Sequence, residues 1–595
     1  MPTQPSTPWR MPTVALQRSR RGCTAWSCLP PDGWRKTATP SLRRWSLRSS
    51  IFCPHMRSTR SAPYTGSAFC EASCMGLCRW RRLVFSSGRQ QMRIKAIILP
   101  STPFYAACGR RTGRTGMRDE RYLYEQAPVG KAIISLTVPT VISQLITVIY
   151  NAADTFFIGQ LNDPSQVAAA SLCMPPFILL TGIANLFGIG GSSLISRCLG
   201  IGEKEKAKRA AAFCIWSAAA VALLYGLLFL LLKPYVLPLL GARASTYGYC
   251  YSYLFWTVTL GAVPTVMNAC LAHLIRSEGL SRQAGFGVIL GGLLNILLDP
   301  IFIFVLRLEI VGAAMATALS NLVAMLYFVL IVCLRRGRTV ITASPRFFTL
   351  RHGIPREVCA VGLPNFVMNL LGIFSNTVLN NLMATYSDAA IAGMGIAKKV
   401  DMLTFAVSMG MTQGVLSLIG YNYSAKNHAR MVKVIKTTFL YTMVVAVCTT
   451  LFLYFCAAPV SRVFIADVET ITYGQHFIRV LCLICPMQAT SMVVITTLQA
   501  IGKKAKPLLL SLMRKGTLDL PFMFLLNGLT GAMGVAWATP IAESIACIVS
   551  LFLFAPIFRR MLAQAKASSS NTASASNAGE TGDVVALPKA ESGNP

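Results

Sequence analysis

The chain places a few polar side chains where apolar residues would be expected. Asp154 interrupts the run VIYNAADTFFIGQL. Asn295 and Asp299, in NILLDPIFIF, are four residues apart, so a helix carries both on one face, one turn from each other. Thr317, in GAAMATALSN, adds a hydroxyl from the next apolar run. An amide, a hydroxyl and two carboxylates are hard oxygen donors, suited to a small cation or a shared proton. Two carboxylates in apolar surroundings cannot both hold their charge cheaply, which favours uptake of a proton or cation between them.

A second group is less pointed. Asp401, Asp519 and Glu543 also lie within apolar runs, with Lys398 and Lys399 just ahead of Asp401. An ionisable group at bilayer depth costs at least ~2.5 kcal/mol on insertion scales, so it usually faces protein or water. The plain readings are an internal Lys398–Asp401 ion pair, a hydrogen bond from Glu543 to a neighbouring helix, and, for Asp519 beside Pro521 and near Arg514 and Lys515, a place near a span end where water relieves the cost. Lys398, Asp401 and Glu543 stand as secondary polar sites. Catalytic groupings are not apparent: His273 has no partner in the sequence, and no carboxylates cluster at metal-binding spacing. No catalytic residue and no cofactor is expected; the one metal considered is a sodium ion at the first group.

These residues need elements to hold them. Of the 595 residues, 54% are hydrophobic and only 13% charged, and mean hydropathy is +0.53, too apolar for a soluble globular chain. Apolar runs long enough to cross ~30 Å of hydrocarbon as helices recur from Val129 to Phe558. Twelve are predicted, near 131–158, 166–191, 209–232, 247–273, 284–306, 310–334, 357–382, 389–419, 436–458, 475–500, 507–527 and 533–557. The fold class is therefore an all-α integral membrane protein. Prolines inside the runs, such as Pro139, Pro264, Pro364 and Pro486, each remove a backbone donor and favour a kink.

Charge orients the runs. Alternate loops hold 20 Lys and Arg, among them Lys204, Lys206, Arg335, Arg336, Lys426, Lys503 and Lys504, whereas the other loops hold only Lys233, Arg243, Arg307 and Arg462. The positive-inside rule puts the basic loops and both termini in the cytoplasm. Much of the net charge of +34 is thus topological, and no nucleic-acid partner is called for.

The chain also repeats itself. VPTVISQLITVIYN around Pro139 matches LPNFVMNLLGIFSN around Pro364, LGIGEKEKAKRA at Gly200 matches IGYNYSAKNHARM at Gly420, and GAAMAT from Gly312 matches GVAWAT from Gly534. With RSEGLSRQA at Gly279 against LQAIGKKAK at Gly502, the offsets are 225, 220, 222 and 223. Each repeat holds six spans, an even number, so both enter the membrane in the same direction. Two six-helix lobes related by a pseudo-two-fold along the membrane normal follow, with a cavity between them.

From about Met117 to Arg560 the chain resembles the MATE (multidrug and toxic compound extrusion) transporters of bacteria. The resemblance is carried by YNAADTFFIGQL, GIGGSSLISRCLGIGEKEKAKRA, RSEGLSRQA, NILLDPIFIF, GAAMATALSN and GYNYSAKNHAR. It implies export of organic cations, drugs and other amphipathic compounds, coupled to inward flow of protons or sodium ions, by a protein of the bacterial inner membrane. It also implies a cation site in the first lobe, built by an aspartate of the first span, an Asn-x3-Asp pair of the fifth and a threonine of the sixth. Here these match Asp154, Asn295 with Asp299, and Thr317. One branch of the family places its coupling acids in the seventh and tenth spans; neither span holds an acid in this chain, so a site of that kind is not expected. Small-molecule substrates and the bilayer are the expected partners, and a monomer the expected state.

The domain reading is a basic disordered extension over 1–116, a first lobe over 117–334, a basic linker over 335–356, a second lobe over 357–558 and a disordered tail over 559–595. The extension holds 20 Lys and Arg against Asp32 and Glu71, and its Cys70, Cys74 and Cys78 fit no common zinc spacing. MRDERYLYEQ at Met117 reads as a natural start. Two other functions fit less well. A lipid-linked oligosaccharide flippase would want a strongly basic cavity, and a membrane-embedded enzyme would want a catalytic grouping.

Overall fold

The computed structural model describes residues 122–580 apart from Ala466. The stretch 1–116, with Cys70, Cys74 and Cys78, and the last fifteen residues lie outside them. Among the described residues nine helices are long and apolar enough to cross a membrane, and two bent pairs bring the number to eleven. The first six segments in order are Val129–Gly159, Pro164–Ile201, Lys204–Leu239, the pair Ala244–Leu260 and Ala262–Ser277, Ser281–Val305 and Glu309–Leu334. The next four are Ile354–Ala384, Asp388–Ser424, His428–Phe455 and the pair Val468–Cys482 and Cys485–Ala500. Outside that number, an eleventh segment is a chain of shorter pieces, Ala505–Leu512, a π-helical turn at Met513–Thr517, and Asp519–Thr530. The twelfth begins at Ala532. Each predicted run falls on one segment.

The differences have physical causes. The fourth and tenth segments bend by 49° and 42°, at Gly261 and around Leu483. Pro264 and Pro486 stand in the first turn after each break, where a missing amide forfeits no intrahelical bond. By contrast, the first and seventh helices run without interruption through Pro139 and Pro364. The last helix continues to Glu580, past the boundary where a disordered tail was expected to start. Met561 is buried there, and Leu562 and Ala565 pack beside it against a core that joins the first, eighth and ninth segments.

The two repeats touch closely at the end that carries the basic loops. A methyl group added at Gly190 on the second segment would strike the carbonyl oxygen of Val358 on the seventh, and one added at Gly362 would strike that of Leu186. Only glycine permits such a backbone approach. At the same end Ser193 Oγ donates to the carbonyl of Gln499 (2.6 Å), and Arg197 pairs with Glu357 (3.4 Å). Arg430 of the ninth segment donates to the carbonyls of Tyr124 (2.7 Å), Leu123 (3.0 Å) and Ala127 (2.7 Å), just ahead of the first helix. Toward the opposite end the eighth segment leaves Lys399, Met402 and Leu403 exposed. The loop after the sixth segment is strapped back onto the first repeat. Glu278 accepts from the amide of Val340 and the hydroxyl of Thr339, and Trp216 donates to the carbonyl of Ala343.

Candidate cation site

Asp154 lies five residues before the end of the first helix, Asn295 and Asp299 near the end of the fifth, and Thr317 in the third turn of the sixth. All four are buried, with Asp299 at 0% and Asp154 at 6% exposure. The helical register works as the spacing predicts: Asn295 Nδ2 donates to Asp299 Oδ1 (3.2 Å) and to Thr317 Oγ1 (3.2 Å), tying the fifth segment to the sixth. Asp154 reaches the same place from the first segment, within electrostatic range of Asp299.

A fifth member comes from the fourth segment. Tyr253, also buried, donates its hydroxyl to Asp154 Oδ2 (3.4 Å) and lies in the field of Asp299 too. No local pattern singles it out, since Tyr247, Tyr249, Tyr251 and Tyr253 alternate along one stretch and only packing selects among them. After these bonds are made, one oxygen of Asp154 (Oδ1), one of Asp299 (Oδ2) and the amide oxygen of Asn295 have no hydrogen-bond partner. Three buried oxygens without donors, among two carboxylates, form a place that a proton or a small hard cation would complete. No Lys or Arg makes an ion pair with either aspartate among the described residues.

The second repeat arranges its acids differently. Arg514 Nε and Nη2 bond Glu543 Oε2 and Oε1 at 2.8 and 2.9 Å, a two-pronged pair with both side chains at most 1% exposed. Lys515 sits 3.7 Å from Asp519 and 4.0 Å from Glu543, and Ser375 Oγ donates to Asp519. Lys398 and Asp401 share the field of this cluster but form no direct ion pair with each other among the described residues, so that expected contact is absent. Glu543 is held from the neighbouring segment by Arg514. The pairing spans 29 residues and two segments, which no local pattern reveals.

Comparison with known proteins agrees with this architecture. The MatE family model matches residues 139–301 and 364–525, one copy on each six-segment repeat. The multidrug export protein MepA of Staphylococcus aureus (strain MSSA476) is 31% identical over 438 residues, covering 73% of this chain and 96% of its own length. Its namesake in Staphylococcus saprophyticus is 32% identical over 452 residues, covering 76% and 99%. Among solved structures, an outward-facing multidrug resistance MATE family transporter of the MOP superfamily superposes with a TM-score of 0.70 at 24% identity, covering 74% of this chain and 98% of that one. A crystal structure of MATE in complex with MaL6 gives 0.68 at 25% identity. With matching models on both repeats and relatives aligned over nearly their whole length, the chain belongs to the MatE family of membrane transporters.

Proposed function

We propose that the protein is a cation-coupled antiporter that exports organic cations, drugs and other amphipathic small molecules across the inner membrane of a bacterium by alternating access. The relatives are named as multidrug export proteins, which supports an exporter rather than an enzyme. The observation that carries the coupling is the pair Asp154 and Asp299, buried, with three unpartnered oxygens among them and Asn295 and, among the described residues, no ion pair to a cationic side chain. Asp154, Asn295, Asp299 and Thr317 are the ligands of the coupling proton or sodium ion, and Tyr253 orients Asp154. No further cofactor is required.

The first helix links this site to the closed seam. Gly414 of the eighth segment packs on Thr137, and Asp154 lies seventeen residues further along the helix, roughly 25 Å at 1.5 Å per residue. Occupancy at one end of that helix and closure at the other act on one rigid element. A cation drives transport only if it binds the two arrangements with different affinity. The basic loops and both termini face the cytoplasm in this reading, so the seam is the inner gate. The flippase alternative loses support from the second repeat: Arg514 and Lys515 already face Glu543 and Asp519, and Arg479 is spent on Tyr454.

Efflux of a fluorescent organic cation from proteoliposomes, with pH and sodium gradients imposed separately, tests the proposal. One gradient should drive efflux and the other should not. Efflux indifferent to both would reject cation coupling.

A further inference from the structure

We propose that the protein binds an anionic phospholipid headgroup in a groove at its basic end, astride the seam between the two repeats. The groove has a volume of about 940 Å³ and is walled by the starts of the first and fifth segments, Arg335 after the sixth, and Tyr441 of the ninth. Ligand-sized clefts run to about 300–1,000 Å³. Lys131, Arg282 and Arg335 line it, and among the described residues no carboxylate does. Tyr122 and Tyr441 stand beside them, the residue type enriched where a membrane meets water.

The shape continues as a lipid would. Lys131, Ile134, Val138 and Ile142 follow one face of the first helix, and the last three are 52%, 46% and 44% exposed. On the fifth, Arg282 begins a face that carries Phe286 and Leu293, 56% and 52% exposed. The two helices pack directly on each other, and a methyl at Gly285 would meet the carbonyl of Pro139. A cationic mouth therefore opens onto an apolar strip along the two spans, matching a phosphate with acyl chains below it. A transported organic cation would be repelled by the mouth. The chain's own residues 1–116 suit it no better, with 20 Lys and Arg against two acids.

Tyr441 is the wall that belongs to the second repeat, and its hydroxyl lies against Gly130. A headgroup seated here bridges both repeats while the seam is closed, and loses one wall when it opens.

The test is native mass spectrometry of the purified full-length protein with phosphatidylglycerol or phosphatidylcholine added. Phosphatidylglycerol should be retained preferentially, and Lys131→Gln with Arg282→Gln should lower its retention by about tenfold or more, given about 1 kcal/mol per basic residue near an anionic surface. Lys503→Gln with Lys504→Gln, which removes the same charge elsewhere at the basic end, should leave retention unchanged. The charge-preserving pair Lys131→Arg and Arg282→Lys should retain the lipid, which separates lost charge from a misfolded variant. Equal retention of the two lipids, equal loss in the Lys503 and Lys504 control, or displacement by millimolar inorganic phosphate would overturn the proposal.

Discussion

The two repeats carry the same scaffold and opposite electrostatics. Asp299 and Asp519 are 220 residues apart, in LDPIF and LDLPF, and Thr317 and Thr539 are 222 apart in matching AT pairs. One turn before each aspartate the first repeat has Asn295 and the second has Lys515; beside these stand Leu294 and Arg514. Asn321, which in the first repeat bonds Asn268 and the carbonyl of Thr317, is replaced 222 residues on by Glu543. Two acids in the second repeat, Asp519 and Glu543, thus pair with Arg514 and Lys515, with Lys398 and Asp401 in the same field, whereas Asp154 and Asp299 in the first meet only neutral donors among the described residues. Duplication supplied two equivalent places for a carboxylate. The residue one turn before each aspartate sets the difference: an amide beside Asp299 and an ammonium beside Asp519.

The sharpest way to break that contrast is to make the same kind of change on both sides. Arg514→Met strips Glu543 of its two-pronged partner and leaves it buried with only Lys515 at 4.0 Å, and breaking a buried pair typically costs about 3–5 kcal/mol. Thermal unfolding of the detergent-solubilised protein should fall markedly, and adding Glu543→Leu should recover most of the loss. Full stability in the single variant would remove the ion pair as a structural brace.

Asp154→Asn and Asp299→Asn should act in the reverse sense. Each removes a charge that has no cationic partner, so melting should hold or rise slightly while gradient-driven efflux drops to background at equal membrane abundance. Normal coupled efflux in both variants would end the assignment of the site.

Milder changes sharpen the same picture. Asn295→Ala, Thr317→Ala and Tyr253→Phe each take away one neutral group, worth about 0.5–1.5 kcal/mol net. Each should weaken apparent affinity for the coupling ion by a few-fold, with transport still measurable. Loss as complete as in the aspartate variants would mean that these residues do more than position the carboxylates.

The smallest effect belongs to an ordinary carboxylate outside the spans. Asp163 caps the second segment by accepting from the amide of Ser165 and from Gln166, and these bonds hold its carboxyl below the usual range. A depressed carboxyl stabilises the fold above the unfolded group's range, and the benefit fades as pH falls through the folded value. Asp163→Ala should lower the melting temperature slightly near neutral pH and progressively less in acid. A melting deficit that does not shrink on acidification would disconnect the cap from its charge.

Hydropathy made most of the segments legible, because a span must be apolar over most of its length whatever it packs against. The Asn295–Asp299 contact was legible for a similar reason, since helical periodicity alone brings the two together. Tyr253 and the Arg514–Glu543 pair were not, because each depends on how separate helices turn toward one another. The eleventh segment shows the limit well: the π-helical turn at Met513–Thr517 resets the register ahead of Asp519, and a uniform helical count across it misplaces every face that follows.

The glycine contacts at the seam bear on how the protein can recover from damage. A clash between two side chains can be relieved by trimming the neighbour, so second-site revertants arise close by. Gly190 and Gly362 instead face the carbonyl oxygens of Val358 and Leu186, and no codon change shortens a carbonyl. Defects at these two positions are therefore reversible by restoring glycine, or by changes elsewhere that slide a whole helix, and a suppressor screen would find the adjoining side chains silent.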